Sequence, residues 1–171
     1  SVHPDALLIG QPHVLRDTAL SAPGFARLGP LDLPALRSLA DRILDAPARL
    51  EGPGACPLPA DPADVPSTFG FAPGDLVLDG WCGAGVLVVG GDLVLSGGAR
   101  FDGVILVAGR MILRGASTIR GAARVAAPGP GSLLQDGRLL HDAALAARVL
   151  TETRALRRPF RPAARAWIPL F

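Results

Sequence analysis

The chain has no lysine, no asparagine and no tyrosine, so its 17 basic charges are all arginine. That bias reads as high-GC coding and carries little functional weight. Scarcity elsewhere excludes more. The histidines are only His3, His13 and His141, which leaves few imidazoles for general-base chemistry. Two cysteines, with no third thiol or neighbouring histidine, do not make a zinc site. Mean hydropathy is positive, +0.36, yet no window reaches the ~18 to 20 apolar residues of a membrane span without a charge, proline or glycine. Nor does a charged start lead into an apolar run, so no targeting segment is visible and a soluble chain is expected. A nucleophile elbow, a phosphate loop and a metal-ligand cluster are likewise missing. No catalytic, cofactor-binding or metal residue is therefore assigned, and no enzyme is expected.

What is present is a period. Gly85, Gly91, Gly97, Gly103, Gly109, Gly115 and Gly121 stand six residues apart. Val89, Leu95, Phe101, Val107, Leu113, Ile119 and Val125 keep the same interval, and Leu87, Leu93, Ala99, Ile105, Met111, Ser117 and Ala123 precede them by two. A hexad with alternating inward residues and a glycine corner describes a short triangular β-solenoid, a parallel β-helix, for which right-handed winding is the default. Gly74–Gly80 reappears at Gly91–Gly97 and more loosely at Gly109–Gly115, so about three coils are expected, with an irregular corner at Trp81 and Cys82.

One face should stack Leu87 and Val89, Ile105 and Val107, and Ala123 and Val125. A second should stack Leu93 and Leu95 over Met111 and Leu113, and a third Ala99 and Phe101 over Ser117 and Ile119. Outward positions then include Val88 and Leu106, and Val94 and Ile112. Strands apolar on both sides are normally covered, and flanking helices are the expected cover.

The whole chain, 1–171, reads as one domain. Residues 1–73 supply a short strand, a helix over Leu33–Leu44 and a wrapping segment, 46–73, whose prolines forbid regular structure. Asp32 and Pro34 suit that helix's start. Residues 74–127 form the solenoid. Residues 128–171 supply a strand near Leu133, a helix from Asp142 to Arg157 that caps the open solenoid end, and an apolar tail.

Cys56 and Cys82 allow one pairing, which would staple the proline-rich loop to the first coil and add roughly 3 kcal/mol. The bridge, with an exported location, is read ahead of two free buried thiols. Charge divides along the sequence: residues 1–99 carry five arginines against eleven acids, and residues 100–171 twelve against four. Complementarity between the halves is the plainer explanation. An arginine surface for an acidic partner or nucleic acid is the functional one, with Arg148, Arg154, Arg157, Arg158, Arg161 and Arg165 as its candidates. Corner stacking aligns Asp75 and Asp92 with Arg110, and Asp102 with Arg120. Asp75 and Asp92 could approach a retaining glycosidase's carboxylate spacing; turn chemistry and exposed Asp92–Arg110 and Asp102–Arg120 ion pairs are the plainer reading. Hexapeptide acyltransferases present a histidine from a coil or its loop, and this ladder offers neither.

A proline-rich stretch with Cys56, then Cys82 before Gly85-Val86-Leu87-Val88-Val89-Gly90-Gly91-Asp92-Leu93-Val94-Leu95-Ser96-Gly97, then Phe101-Asp102-Gly103-Val104-Ile105-Leu106-Val107, an arginine-containing helix and Arg165-Ala166-Trp167 together resemble the extracytoplasmic domain of PilX-type, type IV pilus-associated proteins. The similarity spans roughly residues 26–171. It implies a bacterial envelope or cell-surface location, pilus or envelope partners, no active site, and an N-terminal membrane helix upstream. The hexad ladder is also similar to bactofilins, which implies a polymerising scaffold. The expected function is a non-enzymatic structural or adhesive part of a pilus-like or cell-surface assembly. The alternatives are that scaffold, a DNA-binding pilus subunit, and a carbohydrate-active solenoid.

Overall fold

A computed structural model describes residues 7–9, 31–54, 56, 67–126 and 133–157. In chain order these form β1 (Leu7–Ile9), α1 (Leu33–Leu39), β2 (Arg42–Ile43), β3 (Ala48–Glu51), β4 (Thr68–Ala72), β5 (Leu76–Asp79), β6 (Cys82–Val89), β7 (Leu93–Ser96), β8 (Arg100–Val107), β9 (Met111–Leu113), β10 (Thr118–Val125), β11 (Leu133–Leu134), β12 (Arg138–His141) and α2 (Ala143–Glu152), followed by a short 3₁₀ turn at Arg154–Leu156. The strands make two all-parallel sheets. One has seven strands in the order β1-β12-β10-β8-β6-β4-β2; the other has five, β11-β9-β7-β5-β3. Chain progression from sheet to sheet winds a β-solenoid of about four turns.

Alternation along each strand fills the interior. Leu87, Val89, Leu93, Leu95, Ala99, Phe101, Ile105, Val107, Met111, Leu113 and Ile119 are all buried in one cluster, with Ala123 and Val125 packed at its margin. Ser117 is buried there too, its hydroxyl donating to the Arg114 carbonyl at 2.5 Å, so the one polar inward residue is satisfied locally. The three faces expected from the hexads exist, but two of them share strands. Each eight-residue strand runs through its corner glycine and bends there instead of stopping: Gly85, Gly103 and Gly121 lie in register, with φ of 118°, 145° and 127°.

The irregular first corner is explained by volume. Trp81 is level with Ala99 and Ser117, and Gly83 with Phe101 and Ile119, as the register of the next residue, Cys82 on Arg100 on Thr118, requires. The indole lies where a Gly83 side chain would be. Large and small residues have exchanged places in this coil, so the interior stays filled despite a corner one residue shorter.

Four expectations need correction. Helix α1 starts at the Asp32 cap, whose Oδ1 accepts from the Ala35 amide at 2.9 Å, but it ends at Leu39. The Asp41 and Leu44 amides then donate to the Phe69 and Phe71 carbonyls at 2.9 and 2.8 Å, so Ile43 and Leu44 belong to a strand rung. Secondly, the proline-rich stretch contains β3 and β4, because Pro47, Pro53 and Pro73 fall at corners flanking the strands, where a missing amide breaks no ladder. The solenoid consequently runs past 74–127 in both directions and has more than three coils.

Thirdly, α2 does not cap a solenoid end. It begins at Asp142, whose Oδ1 accepts from the Leu145 amide at 2.9 Å, and lays Leu145, Ala146 and Val149 against Val86, Val88, Val104 and Leu106 on the outer face of the seven-stranded sheet. Leu36 of α1 joins the same cluster beside Phe69 and Phe71. Each large side chain so covered contributes roughly 1.5–3 kcal/mol, which is why intramolecular helices cover this face. β12 and then β1, from near the chain's start, add the last rungs at the end expected to carry the cap. Fourthly, Asp102 does not meet Arg120: Asp102 pairs with Arg100, and Arg120 with Asp142.

Candidate functional site

The corners carry most of the ordered polar side chains. At the corner preceding the five-stranded sheet, Asp75 Oδ1 accepts from the Asp92 amide at 2.8 Å, and Asp92 Oδ1 accepts from the Arg110 amide at 2.8 Å. Each carboxylate reaches one coil along the axis, into space that Gly91 and Gly109 leave open; a side chain on either glycine would collide with that oxygen. Asp92 Oδ2 also receives Arg110 Nε at 2.8 Å and is in contact with Nη2. Both oxygens of Asp92 are thus engaged in holding the corner. Glycosidic chemistry uses a carboxylate free to protonate or attack; both oxygens of Asp92 are engaged, and Asp75 has one oxygen bonded to the ladder's backbone.

The guanidinium and amide of Arg110 hold the Asp92 carboxyl below its ordinary value of 3.8, and Asp92 in turn raises Arg110. A depressed carboxyl stabilises the fold above its unfolded value and loses that contribution as pH falls through the folded one. Asp92→Asn should therefore cost only about 0–1 kcal/mol at pH 7, as for an exposed pair, and the difference from the parent should shrink as the pH falls below the ordinary 3.8 and on through the depressed folded value. Urea unfolding at pH 7 and pH 3 checks this; an equal difference at both pH values would refute it.

The next corner column is similar. Asp79 Oδ1 accepts from Ser96 Oγ at 3.0 Å, and Asp79 Oδ2 from Arg49 Nη2 at 2.6 Å. On the other sheet Asp102 is level with Arg120, as stacking predicted. Its ionic partner, however, is Arg100, two residues back on the same side of β8, with Nε at 3.1 Å and Nη2 at 2.9 Å from Oδ2. Asp102 is buried and Arg100 largely covered, at 8% and 15% side-chain accessibility, so this is not an exposed pair. Arg120 turns to Asp142 at 3.4 Å. Strand alternation puts positions i and i+2 on the same side of the sheet, within reach of a long arginine side chain.

Three of the six arginine candidates fall within the described residues. Arg148 lies on α2 with Nε 4.0 Å from Glu152; Arg154 and Arg157 are exposed around the 3₁₀ turn, with Arg157 Nε donating to the Thr151 carbonyl. Arg158, Arg161 and Arg165 lie outside the described residues, as do His3 and His13. His141 ends β12, exposed, and its neighbour Asp142 serves the helix cap. Among the described residues no His, Cys, Asp or Glu cluster suits a metal ion, and no helix is long and apolar enough to cross a membrane.

Cys56 and Cys82 are joined in a disulfide, with Cα atoms 5.5 Å apart. The approach is prepared by two backbone bonds down the same corner, from the Gly52 amide to the Asp79 carbonyl at 2.9 Å and from Gly54 to Gly80 at 3.1 Å. The staple thus fastens the segment leaving β3 to the start of β6. Sequence reasoning missed β3 itself. Its signal was present in Ala48-Arg49-Leu50-Glu51, four residues alternating apolar and charged between two prolines.

Comparison with protein-family models, with curated proteins and with solved structures finds no match to this chain.

Proposed function

We propose that this chain is a non-enzymatic structural or adhesive module of a type IV pilus-like or other cell-surface assembly, working in an oxidising, extracytoplasmic compartment. The observation that carries the reading is the Cys56–Cys82 disulfide, since such bridges form and persist outside the reducing cytosol. The corner carboxylates fit the same reading: the ordered ones near the ladder are used to hold one coil to the next. Regular parallel coils with nearest-neighbour contacts make a stiff rod suited to presenting surfaces at fixed spacing.

The test is thiol trapping in the native cell. Acid quenching followed by a maleimide-polyethylene glycol reagent should leave both cysteines unmodified until reductant is added, and the protein should fractionate with the envelope or the exterior. Two freely alkylated cysteines in a cytosolic fraction would overturn the proposal. Co-purification of envelope or pilus subunits after mild cross-linking would support its assembly aspect.

A further inference from the structure

The two ends of the solenoid differ. At one, β12 and β1 continue the seven-stranded sheet as its last rungs. At the other, β3 pairs only with β5, and among the described residues no strand lies on its outer edge. That rung is open to solvent. Asp41, Arg42, Asp45, Ala46, Pro47, Arg49 and Glu51 are exposed, Ile43 is the one large hydrophobic exposed among the described residues, at 49%, and Leu44, Ala48 and Leu50 cover the interior only partly. An open parallel edge above an incompletely covered core is a template for another strand.

We infer that this edge pairs with a second copy of the chain, β3 against β3 in antiparallel orientation about a two-fold axis through Leu50. The register follows from backbone directions and charge. Ala48 and Gly52 turn their amides inward along the sheet, to the Asp75 and Asp79 carbonyls, so alternation leaves Arg49 and Glu51 with amide and carbonyl groups directed at the open side. Three antiparallel registers can bring outward-directed groups together. Setting Arg49 opposite Arg49 places like charges together and puts Glu51 opposite Pro47. Setting Glu51 opposite Glu51 does the same with the other sign and puts Arg49 opposite Pro53. Neither proline has an amide to give.

The remaining register sets Arg49 opposite Glu51 twice. Each such pair exchanges two backbone hydrogen bonds and places opposite charges side by side. Leu50 of each copy then meets its mate at the two-fold, on the inward side, and the two interiors become continuous. Arg49 already contacts Glu51 and Asp79 of its own chain, with side-chain accessibility of 57%; in the pair it bridges to the partner copy's Glu51 as well. Among the described residues the edge strands at the opposite end, β11 and β1, have only two and three residues, and such short edges are poor templates for further pairing.

The test uses the 171-residue chain in sedimentation velocity over a concentration series. The parent should show a concentration-dependent doubling of mass that weakens with added salt. Arg49→Glu alone and Glu51→Arg alone each create like-charge pairs and should stay monomeric. An equimolar mixture of the two variants restores both opposite-charge pairs and should regain the doubled mass. A parent that stays monomeric up to roughly 1 mM, the weak end of specific association, overturns the inference. So does doubling unaffected by either variant, or a mixture that stays monomeric. Circular dichroism confirms each variant folds. Should one fail, Leu50→Cys decides: a Cα separation of about 4.5 Å at a non-hydrogen-bonded pair suits a disulfide, so mild oxidation should give a covalent dimer through residue 50, and its absence counts against the pairing.

Discussion

Gly103→Ala should be a highly damaging single-methyl change, costing about 3 kcal/mol or more against a total stability of roughly 5–15 kcal/mol for a domain of this kind. Gly103 sits mid-strand in β8 with φ of 145°, a conformation that costs an L-residue of order 1–3 kcal/mol by itself. A side chain there would also overlap the Gly85 carbonyl oxygen on the rung beside it. Side chains can move to admit a methyl group; a carbonyl held in a parallel ladder cannot, without parting β8 from β6. Gly85 against Thr68 and Gly121 against Gly103 repeat the arrangement, so the column has no slack to share. Gly70→Ala is the control. Its new methyl would lie 3.4 Å from Leu87 Cδ1, ordinary contact with a flexible side chain, and should cost under about 1 kcal/mol. Urea unfolding of the two variants checks the contrast; equal midpoints would show that the bend tolerates a side chain.

That column shows both how far the hexad pattern could be read and where it stopped. Period and parity are sequence properties, so the inward set from Leu87 to Ile119 was legible residue by residue, as was the need for cover over Val88 and Leu106. The seven glycines look alike in sequence and act differently in space. Gly103 lets a strand bend, whereas Gly91 and Gly109 make room for the carboxylate of a neighbouring coil. Such distinctions depend on what the adjacent rung places there. Leu36, Leu39, Ile43 and Leu44 satisfy a helical spacing, although the last two alternate out and in on a strand rung, so spacing alone overextends α1. Prolines at corners and prolines in loops are the same letters, which hides the proline-rich coil. An amphipathic helix announces that it packs, not where, so its pattern does not distinguish a cap at the solenoid's end from cover on its side. At the polar positions, the Asp75–Asp92–Arg110 column followed from coil stacking, whereas the burial of Asp102 with Arg100 depends on strand parity.

Removing the disulfide should have the second-largest effect, and a distinctive distribution. Cys56 and Cys82 close a loop of 26 residues, for which restriction of the unfolded chain contributes roughly 3 kcal/mol. A Cys56→Ser/Cys82→Ser double variant should therefore unfold at a clearly lower urea concentration than the oxidised parent, and reduction of the parent should reproduce the shift. Location adds a second expectation. In a solenoid each coil is held chiefly by its neighbours, and among the described residues the β2–β3 rung has a neighbouring rung on one side only. Its attachment to the next coil rests on the β3–β5 ladder, the Gly52 and Gly54 backbone bonds and the staple. Without the staple, amides of residues 44–54 should lose hydrogen-exchange protection well before those of residues 93–113, which have rungs on both sides. Uniform loss across both regions would mean that the bridge acts only through the unfolded chain. Unchanged protection together with an unchanged midpoint would mean that the ladder alone holds the rung. Because that same rung carries the Arg49–Leu50–Glu51 edge, the expected pattern also makes the disulfide the condition under which the edge is presented in a fixed register, so reduction should weaken self-association before it unfolds the coils beneath.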